Sequence, residues 1–170
     1  GEYFWVDIIR DGVMLYDLPN HPLATPKPLT PVDAYEMAVG YFSANFAEAG
    51  RRLEAFDFEF GKAMLDGGWL KGAAFALHQA VERLYGCYLL ANTFYFPRSH
   101  NIKFLRSLAE DREPRLVEAW ARDSKIDRRR FELLKRAYVE ARYSASYEIS
   151  AADLEALAAS AEKLRAIVEA

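Results

Sequence analysis

Residue types that could do chemistry gather in two places. Between Arg122 and Arg142 stand eight Lys/Arg against four Asp/Glu, and Arg128-Arg129-Arg130 and Lys135-Arg136 make that stretch locally positive. Cations clustered in this way meet the phosphates of RNA or of a nucleotide, or the acidic parts of a partner; a solvated helix face is the plainer reading. The second place is Gln79, Glu82 and Arg83, in a segment that is otherwise apolar. Gln79 and Glu82 are three residues apart and share one side of a helix. A carboxylate on a central helix is costly unless it is paired, and Arg142 is its natural partner. The chain has three histidines, at 21, 78 and 100, and one cysteine, Cys87. Their spacing fits no metal site, so no metal or cofactor is expected. His78 and His100 read as hydrogen-bonding residues. The glycines form neither a P-loop nor a dinucleotide fingerprint, and no serine nucleophile signature is present.

These residues must be positioned by helices. The 170 residues carry 52% apolar and 28% charged side chains, enough for one domain with a sizeable core. The net charge of −3 argues against wholesale nucleic-acid coating but permits a local basic patch. A lone cysteine suits a reducing compartment, so a cytoplasmic location is expected, and no apolar run is long enough to predict a membrane span. Thr30-Pro31-Val32-Asp33 predicts a helix start, with apolar residues at helical spacing through Leu65. The glycines at 40, 50 and 61 invite a kink or a close helix neighbour, and Gly67-Gly68 ends the segment. Leu70–Asn92 is apolar nearly all round, which predicts the central helix. A short helix over His100–Ala109 follows Pro97. Ser124-Lys125-Ile126-Asp127 and Ser150-Ala151-Ala152-Asp153 are capping boxes for two more helices. The expected fold is all-α, an antiparallel bundle of about five helices over residues 30–170. Five of the seven prolines fall between Pro19 and Pro31, and residues 18–29 read as a stiff linker. Ahead of it, Tyr3–Val6 and Val13–Tyr16 flank Asp11-Gly12 and predict an extended arm or short β-hairpin.

The segment Ala73-Ala74-Phe75-Ala76-Leu77-His78-Gln79-Ala80-Val81-Glu82-Arg83-Leu84-Tyr85 resembles the second helix of HEPN domains. Ser99-His100-Asn101-Ile102-Lys103-Phe104-Leu105 resembles that family's His-Asp/Asn-Leu segment. Leu133–Tyr143, followed by Tyr147, is similar to a third stretch, and the likeness covers most of residues 35–165. Phe4–Asp17 is similar to the last strands of the minimal nucleotidyltransferase domain that often precedes HEPN in one polypeptide. The catalytic aspartates of such domains lie upstream, so Asp7, Asp11 and Asp17 read as hairpin and turn residues. The resemblance thus implies a C-terminal HEPN module, with residues 1–17 as remnant strands of the nucleotidyltransferase.

Ribonuclease members of the family carry Arg followed after four to six residues by His, one motif from each subunit of a dimer facing a shared cleft. There His moves a proton and Arg steadies the phosphate, without a metal. In this chain Arg142 precedes Tyr143-Ser144-Ala145-Ser146-Tyr147-Glu148, with no His. Tyr147 can donate a hydrogen bond, but its ordinary pKa of ~10 makes it a poor base. Three readings follow from the resemblance. The chain is an accessory module that binds nucleotide or RNA through Gln79, Glu82, Arg83, Lys135, Arg142 and Tyr143. Alternatively it is a metal-independent, toxin-like ribonuclease using Arg142 and Tyr147. Alternatively it is a structural dimerisation domain without a ligand. The resemblance also implies a homodimer and a nucleotidyltransferase partner in the same or another chain. Mg and an NTP enter only with that partner.

Overall fold

The structure, a computed structural model, describes residues 2–16, 18–22, 24, 27, 29–66 and 68–170, without the side chains at 2–4, 6 and 7. The roles expected of Asp17, Pro26, Pro28 and Gly67, and of the Asp7 side chain, lie outside the described residues. Helix starts follow the caps in the sequence. The Thr30 hydroxyl donates to Asp33 Oδ2 at 2.7 Å and accepts from the Asp33 N–H at 3.2 Å, opening α2 (Pro31–Asp66). Reciprocal boxes at Ser124/Asp127 and Ser150/Asp153 open α5 (Lys125–Tyr143) and α6 (Ala151–Glu169). Asn101 accepts from the N–H groups of Lys103 and Phe104 and opens α4 (Ile102–Glu110). Such caps satisfy donors that the first turn leaves unpaired.

Packing centres on α3 (Leu70–Thr93), which lies against α2, α4, α5 and α6. Leu77, Ala80, Val81, Leu84, Tyr85 and Cys87 on it are fully buried, as an all-round apolar helix requires. Phe94, at a left-handed φ of 57°, ends α3 and turns the chain back. The ring of Phe96 then rests on Gly86, where an added Cβ would stand 2.9 Å from it. The glycines at 40, 50 and 61 leave α2 unbroken, with open space where a Cβ would be. An element absent from the sequence reading is a 3-10 turn, Pro114–Ala119, capped by the Glu113 carboxylate. It seats Leu116 and Ala119 in the core and delivers Trp120, whose indole N–H donates to the Tyr85 hydroxyl at 2.7 Å.

The N-terminal expectation needs correction. Residues Glu2–Asp11 form a helix, α1, where the sequence predicts the first strand of a hairpin, and the described residues contain no strand. A lone hairpin is marginal in water, whereas a helix satisfies its own backbone groups. Asp11-Gly12 closes this helix, with the Gly12 N–H on the Ile8 carbonyl at 2.8 Å. A Cβ on Gly12 would stand 2.2 Å from that oxygen, so glycine suits the position. The all-α bundle itself stands as expected. No helix among the described residues is long and apolar enough to cross a membrane.

Tyr85→Phe leaves the buried Trp120 N–H without an acceptor. Urea denaturation is expected to show a loss of about 1–3 kcal/mol, the usual penalty for one orphaned buried donor.

Candidate functional site: a carboxylate–histidine pair beside a basic groove

Glu82 lies on α3 and is only 4% exposed. The loop from α3 to α4 brings His100 to it, and His100 Nδ1 sits 2.9 Å from Glu82 Oε2. A carboxylate accepts and cannot donate, so Nδ1 carries the proton. The imidazole stacks on the Tyr138 ring of α5, centroids 3.9 Å apart at 16°. Its own side chain remains 54% exposed. One turn before Glu82, His78 is fully buried, 4.0 Å from the same carboxylate oxygen and 5.5 Å from the Tyr138 ring. Burial depresses the His78 pKa to about 4; the adjacent His100 backbone pulls it up, and the charges of His100 and Arg142 push it further down. Neither His78 ring nitrogen reaches hydrogen-bond geometry. His78 is therefore neutral near pH 7, and His100 is the hydrogen-bonding partner of Glu82.

The expected Glu82–Arg142 pair does not form. Arg142 Nε donates to the Tyr138 carbonyl at 2.8 Å, and its guanidinium lies 4.7 Å from the Phe75 ring, 4.6 Å from Tyr138 and 4.9 Å from Tyr143. An aromatic cradle holds a cation well at a surface, while the compact imidazole is the group that reaches the buried carboxylate. Tyr143 at the helix end is 76% exposed. Gln79 Nε2 and Arg83 Nε are buried without hydrogen-bond partners.

The basic stretch is largely engaged inside the fold. Arg128 donates to the carbonyls of Arg122 and Asp123, and Arg122 pairs with Glu110. Arg129 and Arg130 both hold Asp153 at the start of α6, 3.2 and 3.1 Å away. Partial burial raises the Asp153 pKa, but the Ser150 hydroxyl and the two guanidiniums outweigh it and leave it below its ordinary value. These two arginines, with Lys71, line a cavity of about 730 Å³, yet Lys71 already donates to the Ser144 and Ala145 carbonyls. A smaller groove of about 430 Å³ is more promising. His100, Lys103, Lys135, Arg136 and Tyr138 line it. Lys135 pairs with Glu132, and Arg136 with Glu140 at 3.4 Å; both carboxylates belong to the same helix.

Tyr147 belongs to the core. It is 1% exposed, its hydroxyl donates to the Leu133 carbonyl at 3.1 Å, and burial pushes its pKa up to about 12. A catalytic acid or base needs access and a pKa near the working pH, and Tyr147 has neither. His100, expected to be a local hydrogen-bonding residue, instead bonds a carboxylate 18 residues away, and Tyr138, not singled out by the sequence, stacks on it. The available signal was His78 and Glu82, two polar side chains one helical turn apart on an apolar helix.

The HEPN domain family model matches residues 55–170, and the chain belongs to that family. The match takes in the second half of α2 and all of α3 to α6, so both Glu82 and the groove lie inside it. No curated protein matches the chain significantly.

The buried His78 gives a pH signature. Its folded pKa of about 4 lies below the ordinary 6.5, so the unfolded chain takes up a proton first as pH falls. Stability should be unaffected by this group above pH 6.5 and decline toward pH 4, by about 3 kcal/mol at most. Urea unfolding in a pH series checks this: His78→Gln should flatten the profile in that window.

Proposed function

We propose that this HEPN domain is an accessory module that binds the phosphates of RNA or of a nucleotide in the groove between α4 and α5. The observation that carries this reading is the groove's lining: Lys103, Lys135 and Arg136 around an aromatic wall of Tyr138 and His100. Membership of the HEPN family is consistent with a role connected to nucleotides or RNA. Phosphate neutralisation by two or three cations and stacking of bases on aromatic faces are the two common means of holding single-stranded nucleic acid. Tyr143, exposed and backed by the Arg142 guanidinium, offers a further stacking face. Of the six residues expected to bind, Lys135 lines the groove, Arg142 lies against its Tyr138 wall, and Glu82 serves it by holding His100. Gln79 and Arg83 do not line the groove.

The module acts as a homodimer in this proposal. Val32, Tyr35 and Val39 leave an exposed apolar stripe on α2, next to Gly40, where a partner backbone has room to approach. Partnership with a nucleotidyltransferase rests on the resemblance of residues 4–17 alone.

Fluorescence anisotropy with a short single-stranded RNA tests the binding. Affinity should fall steeply with salt, and Lys103→Ala with Arg136→Ala should lower the slope of log K against log salt by roughly 0.7 per lost contact. An RNA or nucleotide that neither binds nor raises the melting temperature at low salt defeats the binding reading in favour of a purely structural domain. Sedimentation equilibrium checks the dimer, which Tyr35→Asp is expected to weaken.

A further inference from the structure

We propose that the cavity between the start of α5 and the loop leading into α6 is a docking site for an extended, carboxylate-bearing peptide segment of a partner protein. The cavity measures about 730 Å³, within the range of ligand pockets. It is separate from the groove between α4 and α5, for no residue lines both.

Residues 147–150 form one wall of the cavity and have the pattern of a strand without a sheet. Tyr147 and Ile149 are buried while Glu148 and Ser150 are exposed, the alternation of an extended chain with one side in a core. Both ends of this segment are pinned. Lys71 Nζ donates to the Ser144 and Ala145 carbonyls at 2.9 and 3.2 Å, and the Tyr147 hydroxyl donates to the Leu133 carbonyl. Ser150 is the cap of α6. Between these anchors, the N–H groups of Glu148 and Ile149 and the carbonyls of Tyr147, Glu148 and Ile149 have no hydrogen-bond partner among the described residues. An extended segment with free backbone groups is the template to which a second strand adds. Its rigidity lowers the ordering cost of that pairing.

Charge selects what the added strand carries. Lys71, Arg129 and Arg130 line the cavity with Glu148 and Asp153, which leaves one positive charge in excess. Arg129 and Arg130 share the single Asp153 carboxylate, and the Arg129 side chain is 59% exposed. Part of its planar fork therefore faces solvent, and such a fork matches a carboxylate. One surplus charge suits one acidic side chain and is too little for a run of phosphates. Leu70 and Ala152 in the lining offer apolar surface to the neighbours of that side chain. The occupant is not the chain's own linker: residues 18–29 hold four prolines and no Asp or Glu, and proline has no N–H to pair with a strand.

The test titrates the isotope-labelled full chain with a capped heptapeptide of alternating valine and threonine around a central glutamate, followed by amide chemical shifts. The Glu148 and Ile149 amides should move most, and saturate. A probe with glutamine in place of the glutamate should bind roughly tenfold more weakly, the loss of one charge-assisted contact. A probe that keeps the glutamate but is N-methylated along its pairing edge should not bind. Arg129→Ala should weaken the glutamate probe by about the same tenfold factor and leave the glutamine probe unchanged. Arg130 still holds Asp153 in that variant, and an unchanged melting temperature verifies its fold; the three probes decide the matter on the wild-type chain alone. No shift at Glu148 and Ile149 at millimolar glutamate probe overturns the proposal. Equal binding of the N-methylated or of the glutamine probe also overturns it. Single-stranded RNA that displaces the glutamate probe from these amides makes the cavity a phosphate site and overturns it as well.

Discussion

Glu82 is a buried carboxylate on α3, the helix against which α2, α4, α5 and α6 all pack. Burying such a group without a partner costs several kcal/mol, so the surrounding chain must bring it one. His100 does so, and that contact fixes the path of the loop from α3 to α4. The loop in turn carries Asn101, the cap of α4. Tyr138 stacks on one face of the imidazole and also meets Phe75 and His78 of α3, joining α5 to it. His78, buried beside the same carboxylate, stays neutral because burial holds its pKa down to about 4.

Charge on α5 follows a division of labour. Its first two turns are tied to nearby segments of the fold: Arg128 to the preceding loop, Arg129 and Arg130 to Asp153. These contacts lock the start of α6 and leave little charge for a ligand. Further along, Lys135 and Arg136 face the groove and pair only with glutamates of their own helix. Such exposed pairs are worth a few tenths of a kcal/mol, so a phosphate can replace them at small cost. At the far end, Arg142 lies among aromatic rings. A run that reads as uniformly basic is thus structural at one end and available in the middle.

Much of the fold was legible because its determinants are local. Capping boxes at Thr30, Ser124 and Ser150, with helical spacing of apolar residues, set the helix starts and the apolar face of each. The N-terminal segment was misread because Val, Tyr and Trp with Asp-Gly suit a strand, while a strand needs a neighbour that the local sequence does not provide. Glu113 and Pro114 gave a start signal for the 3-10 turn that was too short to register. At the site, Lys135 lines the groove, whereas Arg142 and Tyr143 sit at the end of α5 outside its lining. The Glu82–Arg142 pair, expected from charge and from the resemblance, does not form, because Arg142 lies among aromatic rings instead.

The sequence by itself determined a helical bundle with polar side chains, Gln79 and Glu82 among them, on its central helix, because periodicity and caps act within a few residues. Tertiary structure alone decided which group meets that carboxylate. His100 is 18 residues from Glu82 and Tyr138 is 56, and only the docking of α4 and α5 on α3 brings the three together. It also sorted the cations of α5 into those held by Asp153 and those lining the groove. Pairing across such separations depends on where helices cross, which no local pattern records.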